Sequence, residues 1–504
     1  MSLGSAPIRS RGFTTSVLVY PLAAALAVAL LLIPVNSLHT LFSEPVIVWG
    51  TTLITLALGV HGYRLSRRQG ENPWLAPRSL LMLFFFFKFG WGSLVVYYWD
   101  SLPWEAVPML RDRFITFGVR ANLANACQLA VLGGLGLFLG LSLPMSRLVK
   151  AIPEARWTLD ESKFRRNLVF YAPFALFVAT VLRFTLPVSL QATVVTFGAV
   201  VTVMITVASQ WLFSGSTAVE RGKWAVFLLF AVTFSLVAGL STGMVGEFLY
   251  PVVMMIWGYV IVKHRLPWKY LLVLGIAAFF LVFPTLTIYK YVAPSGTSLS
   301  IGERVFRARE RMEMLDYRVA MELTFDRFVA RATGMALPPV FIQHYPANHP
   351  FIYGESFKHE LAALVPRVLW PGKLGLSQAL NEYTAVTGII ADPTATSAVF
   401  DCLSEYYVNF GLAGVFFLCL AHGMYEKLLY YWLTTRTHAV IGTSIYAVFF
   451  ILNHEIFGFG YAFTWHSRQI PAWLLIFYFL SRYVPRPLRA RASNPYVRYS
   501  RIHR

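Results

Sequence analysis

Apolar runs of roughly 20 residues recur along the whole chain, and they constrain the fold more than any other feature of the sequence. A run of that length crosses a bilayer as an α-helix, because lipid cannot satisfy its backbone polar groups. Only 13% of the residues are charged, whereas soluble proteins have roughly 25%. The chain is therefore predicted to be an all-α polytopic membrane protein. The runs fall at about residues 14–36, 45–63, 79–98, 122–144, 167–186, 190–213, 224–242, 246–263, 268–289, 399–424, 438–457 and 468–485.

The positive charges predict the orientation of these about twelve helices. Lys and Arg concentrate in alternate connections, such as residues 64–78 and 147–166, and in the C-terminal tail. Basic connections stay in the cytoplasm, so both termini are expected there, and the net charge of +19 needs no nucleic-acid partner. The predicted organisation is a single membrane domain over 1–504, with nine N-terminal helices within 14–289, a large outer loop at 290–398, three C-terminal helices within 399–485, and a basic cytoplasmic tail at 486–504.

The outer loop is too long to be a simple connection. Its stretch 301–333 contains good helix formers and is followed by Gly334, which predicts a helix that ends there. Arginines share faces of this helix, and a guanidinium matches phosphate oxygens bidentately. A solvated helix with i,i+4 ion pairs is the alternative. The arginines at spacings of seven and four are Arg304, Arg311 and Arg318, and then Arg327 and Arg331.

A second basic stretch of the loop reads LVPRVLWPGK. Pro366 and Pro371 restrict the backbone around Arg367, and Trp370 and Lys373 lie nearby. A fixed arginine beside an aromatic ring suits an anionic lipid headgroup that bears sugar. Alternatively, the tryptophan anchors the loop at the membrane interface.

Acids and histidines supply candidate proton acceptors. Glu355 and His359 share a face if their stretch is helical, and either side chain could act as a general base or be an ordinary loop residue. Asp401, Glu405 and Asn409 recur at a spacing of four at the start of the next run. The helix dipole explains an acid at Asp401 better than one at Glu405. No metal-ligand spacing is recognisable, and no metal or other cofactor is expected.

Several short motifs between about residues 350 and 415 carry a family resemblance. They are Gly354-Glu355-Ser356-Phe357, Pro366-Arg367, Trp370-Pro371, Lys373, Asn381-x-Tyr383, Glu405, Asn409-Phe410-Gly411 and Gly414. With the many predicted helices and one late outer loop, this region resembles the bacterial O-antigen (oligosaccharide-repeat-unit) polymerases, the Wzy-type enzymes.

The resemblance implies a glycosyltransferase with a GT-C-like membrane architecture in the bacterial inner membrane. Such an enzyme joins polyprenyl-diphosphate-linked repeat units into an O-antigen, capsule or exopolysaccharide at the periplasmic face, without a metal. Membrane lipid, a chain-length regulator and a flippase are the implied partners. We expect Arg367, Glu355, His359 and Glu405 to be catalytic. Substrate binding is expected from Lys373, Arg327, Arg331, Arg318, Trp370, Tyr383 and Asn409.

Other functions remain open on the sequence. A lipid-linked glycan ligase would share most of these features, whereas a flippase should place its charges along a path through the membrane. A metal-dependent glycosyltransferase with acids in its first outer loop is disfavoured, because VNSLHTLFS has no acid. A membrane acyltransferase would use a histidine such as His344 or His349.

Overall fold

The computed structural model is helical almost throughout, which confirms the all-α class. Among the residues that it describes, β structure is limited to an antiparallel pair of two-residue strands, β1 Trp157–Thr158 and β2 Val484–Pro485. The described residues are 13–99, 118–145, 148, 151–152, 157–158, 161–177, 188–215, 217–242, 245–292, 303, 306–307, 309–310, 317–365, 369–370, 372–374, 376–390, 401–437, 439–452, 459–481 and 484–485.

Every predicted apolar run overlaps a helix. The first nine are α1 Phe13–Leu32, α2 Glu44–Arg68, α3 Pro77–Tyr98, α4 Leu123–Ser142, α5 Glu161–Phe177, α6 Val188–Ser214, α7 Ala218–Thr242, α8 Val245–Lys263 and α9, residues 268–292. The predicted outer loop contributes α10 Tyr317–Ala332, α11 Pro338–His344, α12 Glu355–Leu364 and α13 Leu376–Ala385. The last three are α14 Cys402–Tyr431, α15 Ala439–Leu452 and α16 Phe459–Ser481. Three shorter turns of helix among the described residues are Leu38–Leu41, Val119–Asn122 and Gly334–Ala336. The π-helical turns, which are wider than an α-helix, are Phe86–Trp91 in α3, Ala278–Val282 in α9 and Trp432–Arg436 after α14.

Four of the described helices are long and apolar enough to cross a bilayer, as expected of a membrane protein. They are Glu44–Arg68, Pro77–Tyr98, Val119–Ser142 and Cys402–Arg436. The total of about twelve crossings stays a prediction.

The centre of the described structure is the contact between α4 and α14. Nearly all side chains of α4 are buried. At Gly136 and Gly140, a Cβ atom would collide with the backbone carbonyls of Phe416 and Leu420. Glycine at these two positions therefore lets the helix backbones approach closely, which is how helices associate in lipid, where no hydrophobic force drives them together.

Helix α14 is two helices joined at a sharp bend. Phe410 (φ −143°, ψ 18°) and Gly411 (φ 64°, ψ −151°) have non-helical backbones, and they divide it into an outer arm, residues 402–409, and an inner arm, residues 412–431. Leu403 of the outer arm and Cys419 of the inner arm both lie against the same point of α4, Gly133, so the arms fold back on each other. The predicted run 399–424 is thus not one straight helix.

The second half of the predicted helix 301–333 is observed as α10, and the chain turns at Gly334–Ala336 directly after it. Most of its first half lies outside the described residues. Arg304 and Arg311 lie outside the described residues. Further along, α12 packs against α13, α14 and α16, and this contact brings the predicted outer segment onto the outer arm.

Candidate functional site

The bend in α14 exposes backbone carbonyls, and the segment before α12 pairs with them. Ile352 N–H donates to the carbonyl of Val408 at 3.0 Å, and Tyr353 N–H donates to that of Asn409 at 3.2 Å. Those carbonyls would otherwise accept from the next helical turn, which the bend interrupts. The backbone of Gly411 lies in a region that only glycine adopts readily, so this glycine makes the bend possible.

Four residues then join the two segments through their polar groups, and we call them the polar lock: Gly354, Ser356, Glu405 and Asn409. Ser356 Oγ donates to Glu405 Oε1 at 2.9 Å, and Asn409 Nδ2 donates to Ser356 Oγ at 2.9 Å. Asn409 Oδ1 accepts from Gly354 N–H at 2.7 Å. All three side chains are buried, so the lock holds the start of α12 firmly against the outer arm.

Glu360 adjoins this lock, and the sequence analysis gave it no role. It follows Ser356 by one helical turn, is fully buried, and its carboxyl group interacts with that of Glu405. Its backbone carbonyl accepts a hydrogen bond from Thr464 Oγ1 on α16 at 2.9 Å. The spacing of four from Ser356 was the available signal, because it places Glu360 on the buried face of α12.

Asp401 caps the outer arm, as the helix-dipole explanation predicted. Its carboxylate accepts from Leu403 N–H at 2.9 Å and Ser404 N–H at 3.0 Å, and Ser404 Oγ donates to its second oxygen at 2.8 Å. The buried carboxylate also interacts with the charge of Lys88, which lies on the π-helical turn of α3. Asp401 therefore has a structural task that Glu405 does not share.

A more accessible group of side chains lies beside the lock, and we call it the outer cluster: Glu355, Lys358, His359 and Tyr383. Lys358 donates to Glu355, and this hydrogen bond and positive charge lower the pKa of the carboxyl group. His359 is half-buried, and its ring centre lies 6.3 Å from that of Tyr383. Burial and the nearby charges of Glu355 and Glu382 raise the pKa of Tyr383 to about 12. The cluster can therefore present an ionised carboxylate, an imidazole and a neutral phenol together.

Lys373, in the basic stretch after α12, binds backbone carbonyls at the end of that helix. Lys373 Nζ donates to the carbonyls of Ala362 at 2.9 Å and Ala363 at 3.3 Å, and also to that of Val365. These carbonyls lie at the end of α12, so Lys373 caps the helix. Trp370 is half exposed.

The structure describes only some of the arginines that were predicted to bind the diphosphate. Arg367 lies outside the described residues, and Arg327 and Arg331 lie on α10 with side chains that are likewise outside them. Arg318 is exposed, and its Nε donates to Glu322 Oε1 at 3.0 Å in an i,i+4 pair, as in the solvated-helix alternative.

Within the described residues, no three His, Cys, Asp or Glu side chains are placed together to hold a metal ion.

A family model matches residues 65–462, and its description is Domain of unknown function (DUF8712). This range covers most of the chain and all of the site residues above, so the chain belongs to the DUF8712 family. No curated protein and no solved structure matches the chain.

Proposed function

We propose that this member of the DUF8712 family is a glycosyltransferase that polymerises polyprenyl-diphosphate-linked oligosaccharide repeat units. One observation supports the proposal most. The two motifs of the polymerase resemblance, residues 354–357 and 405–411, are separate in sequence but meet in the polar lock.

The proposed setting is the bacterial inner membrane. About twelve helices cross it, both termini are cytoplasmic, and residues 290–398 form the periplasmic loop. The basic connections between apolar helices support this orientation.

In the proposed reaction, a hydroxyl oxygen of the acceptor repeat unit bonds to the anomeric carbon of the growing chain. The bond from that carbon to the diphosphate oxygen breaks, and polyprenyl diphosphate leaves with the electron pair. A base takes the hydroxyl proton and later releases it to water.

We assign the base to His359. Imidazole both accepts and releases protons under physiological conditions, and this one is half-buried beside an accessible carboxylate. Glu355 is already stabilised as an anion by Lys358, which weakens it as a base. Glu405 is held within the buried lock, so its proposed role, like that of Asn409, is to position α12.

Positive charge must stabilise the departing diphosphate. Arg367 is the first candidate, with Arg327, Arg331 and Arg318 as further cations. Lys373 binds the end of α12, and the half-exposed Trp370 is suited to stack on a sugar ring. Tyr383 is assigned to the sugar as a neutral hydroxyl donor.

The test is to incubate the purified protein with lipid-linked repeat units, with and without a chelator, and to separate the products by size. A ladder that persists with the chelator and disappears in Arg367→Ala supports the proposal. Arg265→Ala, on the opposite side of the predicted membrane, is the matched control and should keep the ladder. Transfer of one preformed glycan to a different acceptor would instead identify a ligase, and movement of substrate without bond formation would identify a flippase.

A further inference from the structure

Buried polar residues also lie deep among the C-terminal helices, away from the outer cluster. His422 and Glu426 lie on the inner arm of α14, and His466 lies on α16; each is at most 7% exposed. Ionisable side chains within membrane helices are energetically costly and usually functional. The proposed glycosyl transfer uses none of them.

Two of these residues, His422 and Glu426, form a chain with Tyr406 of the outer arm. Tyr406 Oη and His422 Nδ1 are 3.2 Å apart, and His422 Nε2 is 3.8 Å from Glu426 Oε1. Beside them, Tyr425 Oη lies 2.9 Å from His466 Nδ1. A histidine that contacts one partner through each ring nitrogen can accept a proton on one side and release it on the other.

Further polar side chains lie between Glu426 and the connection between α2 and α3, although Tyr446 Oη has no hydrogen-bond partner among the described residues. Glu426 interacts electrostatically with Tyr446 of α15, whose ring centre lies 5.1 Å from that of Tyr430. The next residue, Tyr431, donates to Glu71 Oε1 at 2.6 Å. Glu71 lies in a basic connection of the sequence, on the predicted cytoplasmic side.

Charged and titratable groups around the chain lie on several of the helices packed on it and next to them. They are Asp401 and Lys88 near the outer arm, Tyr425 and Lys427 on α14, His466 on α16, Tyr446 on α15, and Glu71 and Arg78 at the predicted cytoplasmic end.

We propose that Tyr406, His422 and Glu426 form the buried part of a proton path that runs from the outer arm toward the cytoplasmic side of the membrane domain. Each step breaks one O–H or N–H bond and forms another at the next acceptor. The net change is one proton moved, driven by the membrane potential, with no oxidation or reduction. The path depends on the proposed membrane orientation and not on sugar chemistry.

The test uses the full-length protein in liposomes that contain a pH-sensitive dye. A potassium diffusion potential, negative inside, is imposed with valinomycin, and no lipid-linked sugar is added. We expect internal acidification faster than in protein-free liposomes, and a loss of at least tenfold in this excess rate in His422→Gln and Tyr406→Phe. The exposed residues His39 and Tyr270 supply matched controls, His39→Gln and Tyr270→Phe, which should keep the normal rate.

Acidification no faster than in protein-free liposomes overturns the proposal, whatever the variants do. Equal excess rates in the normal protein, in His422→Gln and in Tyr406→Phe also overturn the proposal. The proton flux would then be a leak, and the side chains of Tyr406 and His422 would serve only in packing. Since the assay lacks sugar substrate, the size-separation assay on the same preparation tests the glycosyl transfer independently.

Discussion

Tyr406 Oη lies 3.2 Å from His422 Nδ1, although the two residues are 16 positions apart in the sequence. In a straight α-helix, residues at that separation would be about 24 Å apart along the axis. The contact is therefore possible only because the chain reverses at Phe410–Gly411 and the two arms of α14 lie side by side. The same reversal brings the Cys402 and Cys419 thiols into contact.

We expect the two cysteines to report this reversal directly. Dibromobimane, a permeant reagent that becomes fluorescent when it bridges two nearby thiols, should label the protein, and the bridged peptide should contain Cys402 and Cys419. Cys419→Ala should abolish the fluorescence, whereas Cys127→Ala should keep it. A lack of bridging in the normal protein would favour a straight helix.

We expect Ser356→Ala to destabilise the protein by about 1–3 kcal/mol, because it leaves the buried Glu405 carboxyl and Asn409 amide groups with one partner fewer. Thermal unfolding in detergent should show a lower midpoint. Ser43→Ala is the matched control, since Ser43 is exposed and its side chain makes no capping hydrogen bond. Equal midpoints for the two variants would show that the polar lock adds no stability.

The pH dependence of polymerisation should distinguish His359 from Glu355. Lys358 lowers the pKa of Glu355, so this carboxylate stays ionised as the pH falls past its ordinary value near 4.5. A decline in rate as the pH falls from neutral toward that range would then come from a histidine. Glu355→Gln should keep that decline, whereas His359→Gln should remove it and lower the rate by about 10²–10⁴-fold. If the decline persists in His359→Gln, another group is the base.

A cysteine at Ala347 should test the membrane orientation. Ala347 is exposed in the turn after α11, and we expect an impermeant thiol reagent to label Ala347→Cys from outside intact spheroplasts. Gln69→Cys, exposed between α2 and α3, is the matched control and should react only after the membrane is permeabilised. The reverse pattern would contradict a periplasmic loop.

The helices could be predicted from sequence because apolar length and helix signals are local properties. The end of α10 before Gly334, the helical stretch from Glu355 and the capping acid at Asp401 all follow from neighbouring residues. The bend at Gly411 was missed because it lies within an apolar run, although a glycine there was a usable signal.

The sequence analysis also did not predict contacts between residues that are far apart in the sequence. Nothing local shows that Gly354 pairs with Asn409 or that His422 meets Tyr406. Such pairings depend on how helices pack, and hydropathy does not encode this.

The polar lock also imposes an order on biosynthesis. Its partners Gly354 and Asn409 are 55 positions apart, and Glu360 gains its hydrogen bond from Thr464, a further 104 positions along the chain. The ribosome therefore finishes α12 long before the helices that hold it exist. The hydrogen bond between Glu360 and Thr464 can form only after α16 has been made and inserted, so a chain truncated before α16 would lack this support of α12 even if its earlier helices were in place.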